Sequence, residues 1–219
     1  MANEPTLPRS LSKVSACLEG FTPPVGSFDP HGAWEHRYAV WVLFPAQSGS
    51  VIQRAGALRL RREPSGRDAA TLDVTLSTTM GGRVGSGYYV HARLTCATDR
   101  LATPRSWELK SCMLDAATGR AVDLTETQQT GQVAGGMIRR QTVGNALRGV
   151  PPSQAERNGT EAIPYLGGRG KVERTVPAPK ALSSNWSLFD ALQRLPGNNV
   201  EPLAFDMLEE MDLLKPNQR

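Results

Sequence analysis

With 219 residues, 39% apolar and 21% charged, the chain is long enough to bury about 70% of the surface its unfolded form exposes, so neither disulfide nor metal is required to hold it together. That composition excludes a disordered chain, and no run reaches the ~18 apolar residues of a membrane span. The formal charge of +4 rests mainly on Arg, the only lysines being Lys13, Lys110, Lys171, Lys180 and Lys215. Arg over Lys fits codon usage in a G+C-rich bacterial genome as well as phosphate recognition, and without a run of five bases it disfavours nucleic acid as a partner.

In chain order, residues 1–33 carry Pro5, Pro8, Pro23, Pro24 and Pro30 and read as an irregular N-terminal arm. The start is polar: cytoplasmic as written, periplasmic or secreted if a leader has been removed. Residues 34–143 carry the fold. Trp34, His36, Tyr38, Val40, Val42 and Phe44 share one side of a first strand, and Ile52, Gly56, Leu58 and Leu60 share one side of a second, opposite Arg59 and Arg61. Glu63-Pro-Ser-Gly66 is a turn by its chemistry. Leu72, Val74 and Leu76 then alternate with Asp73 and Thr75. The clearest pair is Tyr88–Cys96 and Arg105–Leu114, joined by a loop, Ala97–Pro104, too short for a crossover helix and therefore antiparallel. A turn at Asp115–Gly119, a strand around Val122 and Leu124, and a strand over Gln132–Arg140 weakened by Gly135 and Gly136 follow.

Residues 144–185 form a Pro- and Gly-rich loop with one further strand at Lys171–Val176. Residues 186–219 read as a helical tail packing on the core: Ser187 and Asp190 match a capping box before one helix, and Phe205–Leu214 gives a second. That tail holds six acids and three bases, which fits packing on a basic sheet. The expected fold is mainly β, an antiparallel meander curled into a barrel or half-barrel, with two short C-terminal α-helices packed against it.

Cys17, Cys96 and Cys112 are odd in number, and Cys96 and Cys112 sit at different heights of one hairpin, beyond the ~7 Å of a bridge. Free thiols are expected. The chain holds no nucleophile elbow, P-loop, H-E-x-x-H or dinucleotide fingerprint, and Gly81-Gly-Arg-Val-Gly-Ser-Gly87 lacks the Lys and the helix of a phosphate loop. His31, His36 and His91 with Asp29 could in principle ligate zinc, but His36 falls among apolar residues, so no metal and no cofactor is assigned.

Two polar concentrations remain. Tyr89, His91 and Arg93 face outward on one strand, next to Glu108 and Lys110, and Asp99, Arg100 and Arg105 lie in the following turn beside Trp107. Tyr89, His91, Arg93, Arg100, Arg105 and Trp107 are therefore the candidate ligand-binding residues, since the mouth or rim of a curled sheet is where pockets open. Asp73, Glu108 and Asp99 are the weaker candidates for a catalytic carboxylate pair. The leading expectation is a non-catalytic domain that binds an unknown small molecule or protein partner. The alternatives are a hydrolase acting on a glycan or similar polymer, and nucleic-acid binding through a basic sheet face.

Overall fold

A computed structural model describes residues 27–46, 49–79, 86–115, 118–123, 125–144, 170–195, 204–209 and 212–213. The alternation in the sequence becomes one eight-stranded antiparallel sheet. Its strands are β1 (Trp34–Ala46), β2 (Gly49–Pro64), β3 (Ala69–Thr79), β4 (Ser86–Ala97), β5 (Pro104–Asp115), β6 (Thr127–Ala134), β7 (Met137–Gly144) and β8 (Gly170–Pro177). They lie side by side in chain order, β1 to β8, so the meander is as expected. The barrel is not closed: β1 and β8 do not pair.

Closure is unnecessary because the apolar face is covered another way. Leu58, Leu60, Leu72, Val74, Val90, Ala92, Leu94, Trp107 and Leu109 form that face and are buried. The C-terminal segment supplies Leu182, Trp186, Ala191 and Leu208 to the same core. Each fully buried aliphatic side chain contributes about 1.5–3 kcal/mol. The covering segment is β9 (Leu182–Ser184), α1 (Ser187–Arg194), β10 (Asp206–Glu209) and β11 (Asp212–Leu213), with β10 parallel to β9 and antiparallel to β11.

Several sequence expectations are corrected. The second helix is absent: Asp206–Glu209 is a strand, because β9 and β11 on either side supply its backbone partners. A short helix would carry the full nucleation cost with few internal bonds to offset it. Gln132–Arg140 is a hairpin, with Gly135 and Gly136 at φ of 58° and 71°, the two-residue turn that such dihedrals favour. Around Val122 only a Leu114–Ala121 bridge forms, with Val122 N–H donating to Met113 O, while β6 pairs with β5 over Ser106–Ser111; Leu124 lies outside the described residues. The expected capping box does not form: the N-cap of α1 is Trp186, which makes no side-chain cap bond. Ser187 N–H instead donates to Ser184 Oγ (2.9 Å) and Ser184 N–H to Ser187 Oγ (3.0 Å), a reciprocal pair that ties the end of β9 to the start of α1.

Asp190 is instead wholly buried between two guanidiniums. Its Oδ1 lies 2.7 Å from Arg62 Nε and its Oδ2 lies 3.0 Å from Arg194 Nη2. Arg62 is 1% exposed and also donates to the carbonyls of His31 and Gly32. Arg194 donates to the carbonyls of Thr98 (2.9 Å) and Asp99 (2.7 Å) in the β4–β5 loop. Thr103 Oγ1 donates to Leu182 O and Ser183 Oγ to Leu101 O, so this loop is docked on β9 and α1.

Trp107 lies flat against Gly131 on the neighbouring strand and donates from Nε1 to Gln129 Oε1 at 3.0 Å. A Cβ at position 131 would overlap the indole ring. Gly131→Val should therefore destabilise the fold by about 1–3 kcal/mol in urea unfolding. Asp190→Asn should cost about 3–5 kcal/mol, because it leaves two buried guanidiniums without their counter-charge. An Asp190→Asn protein as stable as the parent would show that α1 is held by apolar contact alone.

Candidate functional site

Strand parity puts every second side chain on the face away from the core, and the ladder register aligns them in rows across the strands. One row runs Glu35, Arg61, Asp73, Arg93, Glu108, Thr130, Gln141 and Glu173 from β1 to β8. Beside it run Arg37, Arg59, Thr75, His91, Lys110, Gln128, Val143 and Lys171. On its other side lie Thr95, Ser106, Gln132, Arg139 and Thr175.

The acids of the first row are largely matched by bases of the second. Glu35 pairs with Arg37 (2.8 Å), Asp73 with Arg59 (3.2 Å) and His91 (3.1 Å), and Glu173 with Lys171 (2.7 Å). These pairs are exposed, so each adds only about 0–1 kcal/mol. Among the described residues Arg93, Glu108, Lys110 and Arg139 form no ion pair.

Between the first and third rows a concavity of about 660 Å³ crosses β4 to β8. Arg93, Glu108, Thr130, Gln141 and Glu173 form one wall; Thr95, Ser106, Gln132, Arg139 and Thr175 form the other. Trp107, Gly131, Arg140 and Arg174 lie between the walls, and parity directs their side chains to the opposite face, leaving backbone as the floor. A smaller hollow of about 300 Å³ lies farther along the same face, against Tyr89, Lys110, Cys112, Glu126 and Gln128. Burial, then the Glu126 carboxylate, pushes the Cys112 thiol above its ordinary value.

Of the residues singled out from sequence, Arg93 and Glu108 line the large trough, Tyr89 the small hollow, and His91 and Asp73 bond each other between them. Trp107 is 3% exposed and its ring belongs to the core. Asp99 Oδ1 accepts from the N–H groups of Leu101 (3.2 Å) and Thr103 (2.9 Å), which shapes the loop. Arg100 is exposed in that loop. Arg105 lies 2.7 Å from Asp68, on the far side of β4. The β4–β5 turn is thus the docking point for the C-terminal segment, and the concavity lies on the sheet face instead.

Thr130, Gln132, Arg139 and Gln141 were missed. Reading Gln132–Arg140 as one strand hid the hairpin that lays Thr130 and Gln132 against β5 and Arg139 and Gln141 against them in turn, although the Gly-Gly pair was the available signal. Among the described residues no group of three or more His, Cys, Asp or Glu side chains could hold a metal ion, and no helix is long and apolar enough to cross a membrane. The two free thiols described are Cys96, buried, and Cys112, half-buried; Cys17 lies outside the described residues.

The hydrogen bond from Arg105, with its charge, holds the Asp68 carboxyl below the usual carboxylate range. A depressed folded pKa means that the pair's small contribution is present above the unfolded carboxylate's pKa and is lost as pH falls through the folded one. In an NMR carboxyl titration Arg105→Ala should return Asp68 to the ordinary value; an unchanged titration would show that the pair does not persist in solution. No family model, curated protein or solved structure matches the chain.

Proposed function

We propose that this chain is a non-catalytic binding domain whose ligand or partner occupies the transverse trough on the polar sheet face. The observation that supports it most is the placement of Arg93, Glu108 and Arg139. They stand around one concavity without ion-pair partners among the described residues, while most of the neighbouring acids on that face are paired. A volume of about 660 Å³ suits a small polar ligand or a short segment of a polymer.

The carboxylate geometry favours this over hydrolysis. Asp73 and Glu108 are two strand steps apart, about 10 Å, at the outer limit for glycoside hydrolysis, with Arg93 standing between them. Glu108 and Glu173 are three steps apart, about 14 Å. Asp99 commits Oδ1 to backbone donors. Nucleic acid is disfavoured because the carboxylate row lies beside the basic row and neutralises much of it.

Thermal-shift screening of the full chain against sugars, nucleotides and short acidic peptides tests this reading. A true ligand at about 100 times its Kd should stabilise the fold by about 2.7 kcal/mol. The gain should disappear in Arg93→Ala/Arg139→Ala, whose own Tm should match the parent's. A screen without stabilising compounds, ligands indifferent to both substitutions, or turnover of a ligand would each overturn the proposal.

A further inference from the structure

We propose that the trough takes an extended, hydroxyl-rich oligosaccharide laid across the strands, one sugar ring to each strand step; this rests on the binding reading above.

The first argument is direction. The walls are formed by successive strands, so the lining repeats with the strand spacing rather than along one strand. From β4 to β8 there are four steps of ~4.8 Å, roughly 19 Å, which accommodates about four rings if each advances about one step. A polymer with a short repeat fits such a track, and a single compact ligand would leave most of it empty.

The second argument is chemistry. Glu108 offers two acceptor oxygens, Arg93 and Arg139 offer forked donors, and Gln132 and Gln141 offer both kinds of group. Planar carboxylate, amide and guanidinium groups bridge neighbouring hydroxyls in pairs. Thr130, between Glu108 and Gln141, adds a hydroxyl that donates or accepts.

The third argument is charge. Of the side chains that parity directs into the trough, those without an ion pair among the described residues are two guanidiniums and one carboxylate, while Glu173 is held by Lys171. A strong polyanion would meet two carboxylates along the same wall. A peptide would find no apolar pocket for its side chains, because the floor is backbone and the Trp107 ring faces the core. A neutral or weakly acidic glycan meets neither objection.

The test uses the full chain and defined probes. These are dimers, tetramers and hexamers of β-1,4-linked glucose, of β-1,4-linked N-acetylglucosamine and of β-1,4-linked mannose, with poly-glutamate and a single-stranded oligo-dT as competing classes. At least one saccharide series should bind saturably by calorimetry. Its tetramer should bind about tenfold tighter than its dimer, a difference of about 1.4 kcal/mol, and its hexamer should gain little more. Affinity should hold between about 50 and 200 mM salt, where a polyanion contact would weaken steeply. Glu108→Gln and Gln141→Ala should each weaken binding about fivefold without lowering the Tm, as expected for the loss of one hydrogen bond.

Affinity independent of chain length, or no saccharide binding at all, overturns the assignment. Amide shifts at Arg93, Gln132 and Gln141 separate the remaining outcomes. If poly-glutamate or oligo-dT moves them and no saccharide does, the trough is a binding site and the glycan assignment is wrong. If no probe moves them, both readings fail.

Discussion

A carboxylate held between two guanidiniums underlies the architecture. Arg62 falls on the apolar parity of β2, in line with Leu58 and Leu60, and is almost wholly buried there. A lone charge in that position would be prohibitive. Asp190 supplies the counter-charge from α1, and Arg194, one helical turn farther on, ties the same carboxylate to the β4–β5 loop. Buried ion pairs add little net stability over apolar replacements, but they demand one arrangement. Here that arrangement fixes which surface of α1 faces the sheet. It is supported by ring contacts such as Tyr38 against Phe189, with centroids 5.5 Å apart.

Once α1 covers the apolar face, the sheet can stay open. An open sheet leaves its other face continuous across eight strands, and the side chains there align in rows set by the register. The first and second rows hold one another through exposed pairs of modest strength, and the trough lies on the other side of the first row, against the third. A barrel wall closed on itself would not present the same transverse track. The proposed function therefore depends on the same covering segment that stabilises the core, although the two lie on opposite faces.

Much of the strand pattern was legible residue by residue. Alternation of Leu72, Val74 and Leu76 with Asp73 and Thr75, and of Val90, Ala92 and Leu94 with His91 and Arg93, places the inner and outer faces correctly. Arg93 and Glu108 were identifiable as outward-facing neighbours for that reason. Trp107 was assigned to the right strand but to a rim, because spacing alone does not reveal that Gly131 opposite leaves room for an indole ring. Gln132, Arg139 and Gln141 were hidden by a hairpin read as a strand.

The sequence by itself determined the core faces of β3 to β5, the turn after Glu63 and the antiparallel order of these strands, because these follow from side-chain period and from residues within a few positions of each other. Tertiary structure decided the rest. Whether Asp206–Glu209 becomes helix or strand depends on β9 and β11 beside it, and neither outcome is encoded in four residues. Whether Asp190 caps a helix or neutralises Arg62 depends on a partner far away in the chain. Both are choices among backbone and charge partners that exist only after the sheet has formed, so local propensity could not make them.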